Sequence, residues 1–317
     1  LILEVVLILE VLLILKLHLI LMASLLSTSM PIAPMQFAGV FAPRDPAGHK
    51  GTFGSAAILG GATGMTGAAI LAGRAALKTG AGKVFMALAQ DPCPIPYDVA
   101  HPELMIHQAG ELLDRAPAIS AWAAGCGLGD SGRAIEWLRR LFACRNAVPL
   151  VLDADGLNAL SVGAVSNTWG SGDVVLTPHP TEAARLLGVP TPEIQADRTA
   201  AAQALARKYG AWVVLKGAGT IVCAPDLSWQ INPTGNVALA TGGTGDVLSG
   251  ILVSLLAQGF AAAIAVPAGV WLHGAAADVL VERGVGPIGL VASDLADAVR
   301  DLRNQSDWTL KTPAGRR

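Results

Sequence analysis

Short apolar runs alternate with alanine-rich or amphipathic stretches along most of the chain. The apolar runs predict strands at residues 55–60, 83–89, 118–124, 148–153, 173–177 and 212–216, with a small hairpin at 219–223 and 228–231. The intervening pattern predicts helices at residues 66–79, 133–144, 244–258, 262–283 and 292–302. Strands that alternate with helices are joined by right-handed crossovers, so the pattern predicts an α/β fold with a mainly parallel sheet.

The first 30 residues break this pattern, because they are almost continuously apolar and contain no Gly or Arg. Glu4, Glu10 and Lys16 interrupt the run, whereas a membrane span needs ~20 apolar residues in succession. Three interpretations stay open for this stretch: an extension outside the fold, a membrane-attached helix, or a helix packed on the domain. We predict a leader over residues 1–42, one domain over 43–303, and a flexible tail over 304–317.

Composition narrows the class of protein. With 52% hydrophobic and 15% charged residues, the chain can bury a large core. Its net charge of −2 and its lack of a basic stripe argue against a dedicated nucleic-acid binder. The four cysteines form no CxxC pair and no metal-ligand spacing with His, so reduced thiols and a cytoplasmic location are expected.

The strongest chemical signal is the turn TGGTGD at residues 241–246, which precedes a long apolar helix. A Gly-rich helix start offers free N–H groups and the positive end of the helix dipole, and therefore suits a phosphate. The turn lacks the GK[ST] of a Walker A loop and is not GxGxxG. Asp246 would repel a phosphate unless it acts as a base or holds a metal; the alternative is an ordinary acid at a helix N-terminus.

Together with this turn, eight motifs resemble the ribokinase-like superfamily and, more narrowly, the ADP-dependent (S)-NAD(P)H-hydrate dehydratase family. They are HKGTFG at 49–54, GGA at 60–62, MTGAA at 65–69, LDAD at 152–155, LTPHP at 176–180, LKG at 215–217, NPTGN at 232–236 and HGA at 273–275. The resemblance covers residues 43–302. It implies a ribokinase-like three-layer sandwich with a central, mainly parallel sheet flanked by helices.

The same resemblance implies a reaction. ADP or ATP, with Mg²⁺, would phosphorylate the hydroxyl of the S epimer of hydrated NADH or NADPH, and loss of phosphate would restore NAD(P)H. With ADP as donor, the other products are AMP and phosphate. Functional pairing with an NAD(P)H-hydrate epimerase and a homo-oligomeric state are also expected.

The resemblance assigns roles to individual residues, with Asp246 as the catalytic base that also contacts substrate. The other predicted substrate contacts are Ala68, Gly127, Gly129 and His179. The predicted nucleotide contacts are Lys216, Gly217, Ala218, Gly219, Thr220, Asn236, Gly243, Thr244 and Gly245. Ala69 is a rival of Ala68, the roles of Asp153 and Asp155 are not separated, and no metal ligand is assigned. His273 lies in an apolar stretch and is interpreted as a helix–helix contact.

Three positions depart from the family pattern. Cys126 and Val237 replace prolines, and Thr181 replaces a glycine, which changes the stiffness of loops near the predicted site. A vitamin-precursor kinase of the hydroxyethylthiazole or hydroxymethylpyrimidine type is the main alternative, but HKGTFG and LTPHP are not expected there together. A non-catalytic nucleotide sensor held at a membrane by residues 1–22 is the third hypothesis, against which Asp246 argues.

Overall fold

The computed structural model describes residues 30–115 and 118–305, which form one ten-stranded sheet with helices on both faces. The strands are β1 (Met30–Pro31), β2 (Ser55–Gly60), β3 (Lys83–Leu88), β4 (Met105–Gln108), β5 (Ala121–Ala124), β6 (Leu150–Leu152), β7 (Val174–Leu176), β8 (Trp212–Leu215), β9 (Ile221–Cys223) and β10 (Trp229–Ile231). Their order across the sheet is β1-β10-β9-β8-β7-β6-β5-β2-β3-β4. Only the β8–β9 and β9–β10 pairs are antiparallel, so the sheet is mainly parallel, as predicted.

The described part of the chain contains ten α-helices, of which the last three follow β10. They are α1 (Thr66–Thr79), α2 (Ala109–Arg115), α3 (Gly132–Cys144), α4 (Ala154–Ser161), α5 (Pro180–Leu187), α6 (Thr191–Ala196), α7 (Arg198–Tyr209), α8 (Thr244–Ala257), α9 (Ala262–Glu282) and α10 (Ala292–Arg303). Helical turns at Pro34–Phe41 and Val237–Leu239 are of the 3₁₀ type.

Two separate hydrophobic cores lie on the two faces of the sheet. One core contains residues of α1, α8, α9 and α10, and the other contains residues of α2 through α7. The three-layer α/β/α sandwich is therefore confirmed. Because both faces of the central strands are covered, those strands are continuously apolar instead of alternating.

The apolar pattern located the long elements but missed the short ones. The helix predicted over residues 66–79 has those bounds in the structure, and the antiparallel hairpin after β8 is confirmed. The missed elements are β1, β4, the two 3₁₀ turns and the helices α2, α4, α5, α6 and α7. Four of these helices have eight residues or fewer, so too few turns are present to display a helical period.

The first described residues correct the predicted domain boundary at residue 43. β1 pairs with β10, and Ile32, Phe37 and Val40 are each 1% exposed within the core beside α9. The ring of Phe37 lies 6.0 Å from that of Trp271. Residues 30–42 therefore belong to the packed domain. The interpretations of residues 1–29 and of the tail from 306 onward lie outside the described residues.

The helix α9 is long and apolar enough to cross a membrane on length and composition alone. However, 78% of its most apolar stretch is buried inside the fold. Packing between α8, α10 and the 3₁₀ turn at Pro34–Phe41 accounts for its apolar character.

The packing of the segment before residue 43 can be tested by truncating one side chain. We expect Phe37→Ala to lower the free energy of unfolding by about 3–5 kcal/mol, because it leaves a cavity against Trp271. The matched control is Met35→Ala in the same 3₁₀ turn, where the side chain is 81% exposed and the loss should be small. Denaturant unfolding of both variants measures the difference; equal effects would place this segment outside the core.

Candidate active site

The candidate site lies at the carboxyl ends of the parallel strands. After β2 the chain continues to β3 on one side, and it later returns through β5 on the other, so the gap between β2 and β5 is a topological switch point. The loops that leave these two strands are joined by hydrogen bonds from Gly61 N to Cys126 O (3.0 Å) and from Ala62 N to Gly127 O (2.7 Å). In open α/β sheets this position is where ligands bind.

The Gly-rich turn ends in the first turn of α8, as predicted. Gly243 precedes the helix with φ of +89°, a conformation that favours glycine. The Thr244 hydroxyl donates to the carbonyls of Leu239 (2.9 Å) and Thr241 (3.0 Å), which closes the turn on itself. The first N–H groups of an α-helix have no partner within the helix, and here only a long contact from Thr244 N to Thr241 O (3.4 Å) is made by the turn itself, so the helix start suits an anion.

Asp246 lies in the first turn of α8, and its environment makes it a weaker acid than an ordinary aspartic acid. Burial and the neighbouring charge of Asp153 raise its pKa to about 6, although a hydrogen bond with the Cys126 thiol and the charge of Lys216 act in the opposite direction. A carboxylate with a pKa near neutrality is a better proton acceptor than an ordinary Asp, while it is still mostly ionised at pH 7.

The pKa of a second carboxylate, Asp153, is shifted in the opposite direction. Its Oδ1 lies 2.8 Å from Lys216 Nζ, its Oδ2 accepts from Ser249 Oγ at 2.8 Å, and its side chain is 3% exposed. Burial would raise its pKa, but the charge of Lys216 and the hydrogen bonds from Lys216 and Ser249 prevail and hold the pKa below its usual value. Asp153 therefore stays charged and anchors Lys216.

Lys216 follows β8, and its side chain lies beside the first turn of α8. Its ammonium group also lies 3.8 Å from Glu182, and a side chain placed at Gly245 would come within 3.4 Å of its Nζ. Burial lowers the pKa of Lys216, but Asp153 and Glu182 outweigh this and raise it, so the group stays positive. The structure thus brings Lys216, Gly245 and Asp153 together at the start of α8.

The turn after Lys216 is held by a residue with no signal in the sequence. Arg198 donates to the carbonyl of Ala218 (2.6 Å) and to that of Leu215 (3.1 Å). The Thr220 hydroxyl donates to Gly217 O at 2.9 Å. The hydrogen bonds from Arg198 connect the predicted nucleotide-binding turn to the start of α7, and the one from Thr220 lies within the turn.

The predicted substrate loop after β5 lies against the start of α1. A side chain at Gly127, where φ is +58°, would meet Met65 at 2.7 Å and the Cβ of Ala68 at 3.1 Å, so only glycine fits. The backbone N–H of Gly129 donates to Asp155 Oδ2 at 2.8 Å. The two acids that the sequence left undivided thus differ: Asp153 anchors Lys216, whereas Asp155 anchors the loop of Gly127 and Gly129.

His179 caps the N-terminus of α5. Its Nδ1 accepts from the backbone N–H groups of Thr181 (3.1 Å) and Glu182 (3.3 Å), and Glu182 in return accepts from His179 N at 2.7 Å. The side chain stays 47% exposed, with Nε2 3.4 Å from Glu182 Oε1. Burial and the charges of Lys216 and Arg185 lower its pKa against the opposing effect of Glu182, so the ring is neutral at pH 7.

The side-chain amide of Asn236 is hydrogen-bonded to other residues of the protein. Its Nδ2 donates to Asp278 Oδ1 and its Oδ1 accepts from Ala238 N, while Asp278 Oδ2 accepts from Gly235 N. The contacts orient the loop that leads into the Gly-rich turn, and the nucleotide contact of Asn236 stays a prediction.

Sequence reasoning missed four residues that build the site: Glu182, Arg198, Ser249 and Asp278. Glu182 could have been found, because His179 and Glu182 have the spacing of a capping box. The other three act on partners far away in the sequence, and no local pattern reveals them.

The carboxylates present suit a nucleotide-bound Mg²⁺ better than a dedicated metal cage. No group of three potential metal ligands occurs in residues 30–115 and 118–305. Asp153 is already committed to Lys216 and Ser249, which leaves Asp246 as the carboxylate at the anion-binding turn. Mg²⁺ commonly takes most of its ligands from phosphates and water, with one or two carboxylates, so this donor set is compatible with it.

The fold and this helix-start site define a class, the ribokinase-like proteins. A ribokinase-like superfamily protein from Enterococcus faecalis superposes with a TM-score of 0.73 at 27% identity, over 84% of this chain and 93% of its own. The sequence profile of the NAD(P)H-hydrate dehydratase family matches residues 56–300. The chain therefore belongs to the NAD(P)H-hydrate dehydratase family, as the motifs predicted.

Individual relatives agree with this assignment. An ADP-dependent (S)-NAD(P)H-hydrate dehydratase from Neisseria meningitidis is 46% identical over 86% of this chain and 92% of its own. The ADP/ATP-dependent NAD(P)H-hydrate dehydratase of Bacillus subtilis, co-crystallized with ATP/Mg²⁺, superposes with a TM-score of 0.78 at 31% identity, over 87% of this chain and 98% of its own. The chain also matches bifunctional NAD(P)H-hydrate repair enzymes, of which it spans about half the length.

The conformation of the Gly-rich turn gives a testable contrast between adjacent glycines. We expect Gly243→Ala to lower the free energy of unfolding by about 1–2 kcal/mol, because an L-residue is strained at φ of +89° and its Cβ would lie 2.6 Å from Leu71. Gly242→Ala is the control, since a Cβ there meets nothing within 4 Å. Thermal or denaturant unfolding compares the two; an unaffected Gly243→Ala variant would contradict the conformation described.

Proposed function

We propose that this protein is an ADP-dependent dehydratase acting on the S epimer of hydrated NADH and NADPH. The observation that carries the proposal is Asp246, a proton-accepting carboxylate in the first turn of a helix that begins at an anion-binding turn beside Lys216. A carboxylate in that position can activate a hydroxyl for attack on a phosphoryl group held by the turn.

Asp246 takes the proton of the substrate hydroxyl as that oxygen attacks the terminal phosphoryl group of ADP. The bond from this phosphorus to the bridging oxygen breaks, and AMP leaves. The phosphate ester then loses phosphate, together with a ring proton, and the dihydronicotinamide double bond is restored. ADP and the hydrate thus yield AMP, phosphate and NAD(P)H.

The nucleotide is held between the start of α8 and the turn after β8. We propose that the N–H groups of Gly243, Thr244 and Gly245 face the transferring phosphoryl group and stabilise its charge, with Thr244 N leaving its long 3.4 Å contact with Thr241 O. Lys216 has three N–H donors, of which Asp153 takes one, so the others remain for phosphate. Gly217, Ala218, Gly219 and Thr220 line the nucleotide side, and Asn236 acts by orienting the Gly-rich turn. Mg²⁺ bound to the phosphates would neutralise charge during the transfer, while Asp246 acts as the base.

The substrate lies toward the loops of β2, β5 and β7. Gly127 packs closely on Met65 and Ala68, which brings the backbone of the β5 loop against the start of α1. Gly129 contributes backbone at the same loop, and the exposed edge of His179 contacts the substrate from the opposite side. Ala68, Gly127, Gly129 and His179 would thus all contact the substrate.

The assay that tests this function supplies hydrated NADH with ADP or with ATP and follows the absorbance of dihydronicotinamide. Recovery of absorbance that requires the nucleotide and the S epimer supports the proposal. Phosphorylation of hydroxyethylthiazole or hydroxymethylpyrimidine by ATP, without action on the hydrate, would establish the kinase alternative instead.

The reaction also bears on the functional partner of the enzyme. Since only one epimer is consumed, an NAD(P)H-hydrate epimerase is its functional partner, and the bifunctional relatives have a related repair function. We further propose that residues 30–305 form the catalytic domain, and that the protein has a cytoplasmic location and a homo-oligomeric state.

Asp246→Asn is the direct test of the base. Asn preserves the size of the side chain but cannot take the proton, so kcat should fall about 10²–10⁴-fold while ADP still binds. The control is Asp155→Asn, a nearby acid that holds Gly129 N and can still accept that bond as an amide; its loss should be much smaller. Steady-state rates and ADP titration measure both variants, and a near-wild-type rate in Asp246→Asn would remove it from the mechanism.

The pH dependence of the rate and of stability provides a second test of Asp246. Because the base must be ionised, kcat/KM should be level above its pKa of about 6 and fall tenfold per pH unit below it. This pKa is raised above the unfolded value of ~4, so the stability that the group contributes is present below pH ~4 and is lost as pH rises to about 6. In Asp246→Asn this loss should be absent from stability curves measured between these pH values.

A further inference from the structure

One ionisable group beside the site has no part in the chemistry described so far. His273 lies in the middle of α9, and its Nε2 is 2.9 Å from the carbonyl oxygen of Thr244, in the first turn of α8. Thr244 belongs to the turn that the proposed function uses to hold the transferring phosphoryl group. The imidazole therefore contacts this turn from the side opposite to its N–H groups.

The chemistry of this contact defines which nitrogen carries the hydrogen. Burial, with a smaller effect of the Lys216 charge, lowers the pKa of His273 to about 4, so the ring is neutral and has one N–H. A carbonyl oxygen only accepts, so a hydrogen bond at this distance requires the hydrogen on Nε2. The ring is thus a neutral donor of one hydrogen bond.

The helix α9 also contacts the loop before the Gly-rich turn at two more points. Asp278 accepts from Gly235 N and Asn236 Nδ2, both at 2.8 Å. A side chain at Gly274 would come within 2.3 Å of Thr234, so the backbones approach closely there. The helix α9 therefore contacts both ends of residues 234–244, and His273 supplies the contact at the phosphate end.

We propose that His273 is a positioning residue of the anion-binding turn, and that the hydrogen bond from its Nε2 to the Thr244 carbonyl sets the direction of the N–H groups that receive the transferring phosphoryl group. This role rests on the proposed function. It differs from a packing role, because a packing role needs the volume of the ring and no hydrogen at Nε2.

Three substitutions of His273 separate these roles. Gln places an N–H near the position of Nε2, Asn places one nearer the position of Nδ1, and Leu has no donor. For His273→Leu we expect kcat to fall about 10-fold or more, with KM for the hydrate changed by less than about 2-fold. This is less than the ~10²–10³-fold cost of removing an oxyanion donor, because the N–H groups of the turn remain and only their direction changes. His273→Gln should recover kcat to within about 3-fold of wild type, whereas His273→Asn should not.

The measurements are kcat, KM for ADP and for the hydrate, and thermal unfolding of the full chain. Lowered stability with unchanged kcat in His273→Leu would overturn the proposal, and so would equal losses in the folded Gln and Leu variants. If the variants do not fold, ¹⁵N NMR of the wild-type imidazole decides, because hydrogen on Nδ1 instead of Nε2 would also overturn it.

The test remains informative if the proposed function fails. In that case wild-type protein would not convert hydrated NADH with ADP, whereas ADP titration would still compare the variants. The positioning role predicts ADP affinity about 3-fold or more weaker in His273→Leu and restored in His273→Gln. Equal affinities would reject it independently of the reaction.

Discussion

The site depends on the buried ion pair between Asp153 and Lys216. The two residues follow different strands of the sheet, and Ser249 of α8 donates to the same carboxylate, so one contact joins two strand ends to the helix that carries the anion-binding turn. A buried carboxylate without its partner would be strongly destabilising. The pair therefore provides the buried carboxylate that holds Ser249 of α8 beside the two strand ends.

The ion pair also separates the behaviour of two neighbouring carboxylates. Asp153 has the partners that keep it ionised, and its negative charge helps raise the pKa of Asp246 to about 6. One acid is thereby suited to anchor a lysine and the other to accept a proton. Different environments commonly give such adjacent acids their separate roles in enzymes.

Several residues near the site make hydrogen bonds that hold its loops in place. His179 caps α5, Asn236 is bonded to Asp278, and Arg198 holds the turn after Lys216. These contacts fasten loops to helices and strands, so the loops keep their shape without a ligand. Preorganised loops lose less entropy on binding and place their donors where charge develops.

The sequence by itself determined the α/β class, the long helices and the chemistry of the turn at residues 241–246, because apolar period and Gly-rich helix starts are local properties. Through the resemblance to the dehydratase family, it also assigned Asp246 and Lys216 to the same site. The tertiary structure decided the division between Asp153 and Asp155, the inclusion of Phe37 in the core, and the contact of His273 with Thr244. These outcomes depend on which strand ends and helices become neighbours in space, and no spacing along the chain encodes that.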